Sequence, residues 1–350
     1  MYVVKEHKLC RQVGYDFLRA ISCMTVIILH VSSMYLKDDF RGLISNRSYH
    51  FAAFYCVMSN MAVPSFIMIS GAFLLTEKNK EYGRFYKKNL RKILIPTMVF
   101  SLAYLLMHYC EIIMAVFMGV GVSSDRLDYT SPLKNFIIGK PHITMWFMFM
   151  ILGLYVVTPV IVRIKESITA KQWTILGVAL FVYGIIVRYS CSLSWVLQWS
   201  MWIGYFAMGN VLAEWLKGKE NRALGVLLVV IAYAANVVYW YMYTFNTSTL
   251  TIPDSFSVCV LVSTLLQFVG IALLGLKKQP WLLDLISKYS FGVYLLHPFF
   301  TEFLQQLCGR IIKKFLTGIL IPLYAFCIAF VCCILVGLYH AWWQKVRKGA

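Results

Sequence analysis

The sharpest set of chemically capable residues lies in the first long apolar run, where Asp16, Arg19 and His30 stand among Phe, Leu, Ile, Val and Met. An ionisable side chain at bilayer depth is costly, so its default reading is functional. Arg19 and His30 are eleven residues apart. On an α-helix that spacing is about 20° beyond three full turns, with a rise of about 16 Å, so both side chains share one face. A guanidinium at one end of such a stripe suits phosphate binding. An imidazole deeper along it suits proton transfer or nucleophilic work. Taken singly, Arg19 reads as a snorkelling anchor and His30 as a hydrogen-bonded packing residue; their common face weakens both bland readings.

Other polar residues are candidates to complete such a site. His108 and Glu111 fall in the third apolar run, and His297 and Glu302 in the ninth. Each set offers partners that would orient or polarise the His30 imidazole. The second run holds Asn60, Pro64, Ser65 and then Ser70-Gly71. A mid-helix proline frees a carbonyl, which a membrane tolerates only against protein or a water-filled cavity. A cavity beside the first helix is therefore expected, with a structural kink as the alternative. The stretch Arg84, Lys87, Lys88, Arg91 and Lys92 reads as a topology or headgroup signal, or as a cradle for the phosphates of a donor. Trp146, opening the fourth run, is either an interfacial anchor or a platform for a sugar ring. No G-x-S-x-G elbow, P-loop or HExxH motif occurs, and the ten cysteines form no CxxC pair. Hydrolase, NTPase and zinc chemistry are thus without support, and no metal is expected.

These residues need helices to position them, and the composition fixes the surroundings. Of 350 residues, 60% are hydrophobic and 14% charged, with a mean hydropathy of +0.70. A soluble domain carries roughly 25% charged residues, so a soluble enzyme is excluded. Apolar runs near 17–36, 51–76, 93–119, 142–162, 172–190, 194–216, 223–244, 255–276, 289–309 and 318–343 have about the length needed to cross a bilayer. The expected fold is all-α, a polytopic helical membrane bundle of about ten spans, forming one domain over residues 1–350. Under that arrangement, with the N-terminus inside, 22 Lys and Arg fall on the inner side and 10 on the outer. The bias favours both termini in the cytoplasm. The net charge of +18 is spread over the connections, so no nucleic-acid partner is expected. The polar first 15 residues lead into a full span without a small-residue cleavage site, so a removable signal peptide is not expected.

Several blocks together resemble the acyltransferase-3 family of bacterial integral membrane acyltransferases. They are Tyr15-Asp16-Phe-Leu-Arg19 with His30 after ten intervening residues, Val63-Pro64 through Ser70-Gly71, and the basic stretch Arg91-Lys92-Ile-Leu-Ile-Pro96. Met145-Trp146-Phe147 with Gly153-Leu154-Tyr155, Trp202 to Gly209, and Tyr289 through Tyr294 to His297-Pro298 follow in the same order. Within the family the chain is most similar to short members such as O-acetyltransferases of surface polysaccharides and enterobacterial common antigen. The resemblance implies acyl transfer from acyl-CoA, acetyl-CoA foremost, to a hydroxyl of a cell-surface or lipid-linked glycan in the bacterial cytoplasmic membrane. It matches His30 to the catalytic histidine and Arg19 to its basic partner. For the donor phosphates, Lys88 and Arg91 have the R-x-x-R spacing, whereas Asn89 and Lys92 pair in the other register. Asp16, Ser70, Tyr155 and Tyr294 are supporting or acceptor-side candidates, with His108, Glu111, Trp146, His297 and Glu302. Acyl-CoA, the glycan acceptor and membrane lipids are the implied partners, and oligomeric state is left open. A transporter or flippase for lipid-linked saccharides is the competing reading; no inverted repeat is visible to favour it.

Overall fold

The computed structural model describes residues 2–36, 45–76, 81–117, 133–134, 136, 142, 144–190, 195–245, 252–310 and 318–349. These residues are helical almost throughout, and no strand occurs among them. In chain order the helices are α1 (Tyr2–Tyr35), α2 (Asn46–Ser59), α3 (Ala62–Leu74), α4 (Arg91–Phe117), α5 (Trp146–Ser167) and α6 (Ala170–Ser190). There follow α7 (Ile203–Trp215), α8 (Arg222–Phe245), α9 (Val258–Leu273), α10 (Trp281–Arg310) and α11 (Ile321–Gly349). A short helical turn (Tyr82–Phe85) and a π-helical turn (Tyr86–Leu90) lead into α4, and 3₁₀ turns Trp195–Trp202 and Gly318–Leu320 lead into α7 and α11.

Seven helical segments among the described residues are long and apolar enough to cross a membrane: Val13–Tyr35, Asn46–Leu74, Tyr82–Cys110, Trp146–Ser167, Ala170–Ser190, Arg222–Phe245 and Gly318–Val346. They correspond to seven of the ten apolar runs. The remaining three runs are helical as well, each with a physical reason for falling short. In the sixth, the 3₁₀ turn consumes residues and leaves α7 only 13 residues long; α9 has 16. Helix α10 has 30 residues, but His297, Pro298, Glu302 and neighbouring glutamines dilute its hydropathy. The chain is a multi-pass membrane protein built as a helical bundle. Apolar side chains such as Val99, Leu102, Leu106, Val226, Val230 and Val238 are exposed at helical spacing, the surface that hydrocarbon rather than water accommodates.

The chain divides into two compact units, residues 1–69 with 212–350 and residues 70–211. In the first, α1 packs against α2, α9, α10 and α11, while α8 packs against α2 and α9. The core follows from sequence periodicity. Ala20, Cys23, Ile27, Val31 and Tyr35 of α1 meet Ile321, Ala325, Ile328, Ala329, Cys332 and Cys333 of α11, with Ile286 and Val293 of α10. The α1 series advances by three or four residues, and the α11 series repeats at the same interval with adjacent pairs at 328/329 and 332/333, the pattern that keeps one helical face inward. Helices α8 and α9 approach at Gly225 and Gly270, where a Cβ on either would lie 2.7–2.8 Å from the other's carbonyl oxygen. Only glycine permits that crossing.

The second apolar run is interrupted at Asn60–Met61 rather than at Pro64. Pro64 has no N–H for the Asn60 carbonyl four residues back, so the regular ladder fails there. Pro64 then sits in the first turn of α3, where no donor is required of it. The segment after the break is held by protein. Buried Ser65 donates to Gln267 Oε1 (3.1 Å), and Gln267 Nε2 donates to the Tyr233 hydroxyl (2.8 Å).

In the second unit, α5 packs on α4 and on the 3₁₀ turn before α7, which also meets α6. The C-terminal end of α3 is satisfied by side chains: Lys165 Nζ (3.0 Å) and Asn210 Nδ2 (3.2 Å) both donate to the Leu75 carbonyl. Asn210 in turn accepts from Trp173 Nε1 (3.1 Å). A side chain on Gly71 would collide with the Phe206 backbone, so the Ser70-Gly71 pair marks a close helix contact.

Candidate functional site

Helix α1 carries its polar stripe as the spacing predicts, and α10 supplies the facing residues. Three contacts fix their alignment. Ser287 Oγ donates to Asp16 Oδ1 (3.4 Å), Cys23 Sγ lies 3.9 Å from the Ser290 carbonyl, and the His30 and His297 rings stack with centroids 5.2 Å apart and planes 27° from parallel. Residue numbers rise together along both helices, so α1 and α10 run parallel here. From Cys23 to His30 and from Ser290 to His297 is the same seven-residue step, two helical turns.

His297 is fully buried, and its tautomer is set by a backbone defect. Pro298 has no N–H, so the Tyr294 carbonyl loses the donor that α-helical bonding would assign it. His297 Nδ1 stands 2.7 Å from that carbonyl. A carbonyl can only accept, so Nδ1 carries the hydrogen and Nε2 is the acceptor nitrogen of the neutral ring. Tyr294, itself buried, places its ring 5.3 Å from the same imidazole. Thr301 Oγ1 donates to the Pro298 carbonyl (2.8 Å), satisfying another group near the proline. The sequence His-Pro thus holds an imidazole in one orientation against the half-buried His30.

At the other end of the stripe, Arg19 and Asp16 form an ion pair at 2.6 Å, with side chains 28% and 36% exposed. A carboxylate one turn away fixes the direction of the guanidinium. The rise from Arg19 to His30 spans about 16 Å of helix, with Cys23 on the same face between them.

The other expected site residues lie as follows. Glu302, half-buried on α10, is five residues beyond His297. Lys88 in the π-helical turn and Arg91 and Lys92 at the start of α4 are exposed. His108 is exposed on α4, and the side chain of Glu111 lies outside the described residues. Ser70 is half-buried. Tyr155 stacks toward Phe85 (5.9 Å), and Trp146 packs on Trp202 (5.8 Å), which meets Tyr205 at 5.9 Å. Trp146 therefore belongs to an aromatic cluster of the second unit. Of the four candidates to act on His30, the structure brings His297 to it.

Spacing alone missed one feature. A cavity of about 460 Å³ is bounded by Arg47, His50, Phe51 and Phe54 of α2 and by Trp240 of α8. Its only sequence signal is the density of aromatic residues at the start of α2.

The family model for the acyltransferase-3 group, described as an acyltransferase domain, matches residues 12–342. No curated protein and no solved structure matches the chain.

Proposed function

Because the chain belongs to the acyltransferase-3 family over residues 12–342, we propose that it moves an acyl group, acetyl in the first instance, from acyl-coenzyme A to a hydroxyl of a cell-surface or lipid-linked glycan. Membrane acyl transfer follows from the family; donor, acceptor and residue roles are our reading. The observation that supports it most is the stacked His30–His297 pair, one ring of which has its tautomer set by Tyr294 and Pro298.

His30 is the reacting imidazole. As general base it takes the proton of the acceptor hydroxyl while that oxygen attacks the thioester carbonyl. The tetrahedral adduct then collapses, the C–S bond breaks, and the thiolate takes the proton back from His30 to leave as the free thiol. In the covalent variant a ring nitrogen of His30 attacks first and releases the thiol. The acyl-imidazole then passes its acyl group to the hydroxyl oxygen, and the hydroxyl proton goes to the ring, replacing the one that left with the thiol and restoring neutral His30. His297 is a positioning residue in both, since its anchored ring limits the tilt of His30 through the stack.

Arg19, held by Asp16, takes a phosphate of the donor, and the ~16 Å stripe gives the pantetheine arm a course to His30. Lys88, Arg91 and Lys92 are assigned to the donor phosphates on their motif and exposure alone. The reading places the protein in a bacterial cytoplasmic membrane, with donor from the cytosol and acceptor from outside.

The test uses purified protein in vesicles with radiolabelled acetyl-CoA and extracted envelope glycan. Label should reach the glycan with wild type and not with His30→Ala, whose expression and detergent melting temperature should match wild type. Transfer by His30→Ala at the wild-type rate would sink the assignment. Label trapped on the protein in the absence of acceptor selects the covalent variant.

A further inference from the structure

The aromatic cavity of the first unit lies at the same end of the bundle as the His30–His297 pair. His340 of α11 stacks on Tyr289 of α10 (5.8 Å), and Val336 stands against Gly292. Helix α11 therefore runs antiparallel to α10, and its first turn lies at the His297 end. At that turn Gly318 N donates to Ser48 Oγ (3.1 Å), and Gly318 packs against Phe51. Phe51 lines the cavity, as does Tyr55, which also packs against the core cluster containing Ile27 and Val31 on either side of His30.

The walls have the make-up of a sugar site. A volume of about 460 Å³ lies within the roughly 300–1,000 Å³ range of small-molecule sites. Trp240 is fixed in plane because its Nε1 donates to the His50 carbonyl (3.2 Å) and its ring meets Phe54 edge-on at 5.2 Å. His50 stacks on Phe245 at 5.9 Å. Arg47, exposed on the first turn of α2, brings a cation to the rim. Flat aromatic faces suit the C–H face of a pyranose, and a guanidinium suits an anionic substituent. A plain acyl chain would use the aromatic walls but not Arg47.

We propose that this cavity is a saccharide subsite that takes a sugar ring carrying a negatively charged group, carboxylate or phosphate, with the ring on Trp240 and the anion at Arg47. The inference deepens the acyl-transfer reading by naming the acceptor as an anionic glycan, and it rests on that reading for its role. The binding itself is measurable without catalysis.

Detergent-solubilised full-length protein is titrated calorimetrically with methyl β-glucuronide, glucose 1-phosphate and methyl β-glucoside. Both anionic sugars should bind more tightly than the neutral one, and whichever binds better identifies the preferred charged group. Trp240→Ala should weaken all three about tenfold, while Trp240→Phe restores most of the loss. Arg47→Gln should remove the anionic preference, about threefold for an exposed cation, and leave the neutral sugar unchanged. His30→Ala should bind all three as wild type does. Normal binding alongside failed acyl transfer by the wild type would overturn the enzymatic reading and keep the subsite. Absence of binding, binding indifferent to Trp240→Ala, or displacement by phosphatidylglycerol but not by sugars would overturn the subsite.

Discussion

Pro298→Ala perturbs the histidine pair from the backbone side without touching either ring. Alanine restores an N–H at position 298, which can reach the Tyr294 carbonyl in the ordinary i to i−4 pattern. That carbonyl now accepts the His297 Nδ1 hydrogen at 2.7 Å, so the two donors compete. A helix-interior proline is about 3 kcal/mol less favourable than alanine, and leaving the fully buried His297 donor unpaired costs about 1–3 kcal/mol. The variant should therefore be as stable as wild type or up to about 2 kcal/mol more stable, with a melting temperature in detergent that holds or rises. Catalysis moves the other way. Losing the bond that orients His297 is worth about 1 kcal/mol, or roughly a fivefold fall in kcat, with KM for acyl-CoA unchanged because Arg19 and Asp16 lie at the far end of the stripe. The assay is initial-rate release of CoA thiol with saturating glycan in vesicles, paired with a detergent melting curve on the same preparation. Wild-type kcat in a stable Pro298→Ala protein would refute the orienting role of the Tyr294 contact. A melting temperature several degrees lower would show that α10 needs the proline for its packing.

Three further outcomes follow from the same geometry. Arg19→Ala should raise KM for acyl-CoA about tenfold with little change in kcat, since one charge-assisted phosphate contact is worth about 1.5–3 kcal/mol at its upper range; unchanged acyl-CoA affinity in a binding titration would remove Arg19 from the donor site. Gly225→Leu must force apart helices whose backbones leave 2.7 Å for a Cβ, an overpacking cost of about 1–3 kcal/mol, visible as a lower detergent melting temperature; an unchanged curve would contradict the tight crossing. Gln267→Leu removes the acceptor of Ser65 and the donor to Tyr233, and should cost about 1–3 kcal/mol of stability, largely recovered by adding Ser65→Ala and Tyr233→Phe; equal losses in the single and triple variants would refute the network.

The Arg19–His30 stripe was legible because its information is local: eleven residues on one helix settle which face both side chains occupy. The same held for the bundle as a class, since apolar length and charge content act residue by residue. Locality also explains the differences. The interruption near Pro64 fell at Asn60–Met61, where the missing N–H leaves its acceptor. Helix α10 gave a weaker apolar signal than the others because His297, Pro298 and Glu302 are polar interruptions of its span.

What the sequence could not rank was the partner of His30. His108, Glu111, His297 and Glu302 all sat at comparable depth in their runs, and depth carries no record of which helices are neighbours. Helix adjacency comes from the fit of surfaces far apart in the chain: Cys23 against Ser290, Gly292 against Val336, Gly225 against Gly270. The aromatic cavity was hidden for the same reason, because Phe51, Phe54 and Trp240 are unremarkable apolar residues until α2 and α8 meet. Order along the chain therefore determined the solvent, the helices and the stripe of α1, through periodicity and transfer energies set by neighbouring residues. Tertiary packing decided that two imidazoles would face each other, because close contact between helices depends on side-chain shape and not on sequence distance.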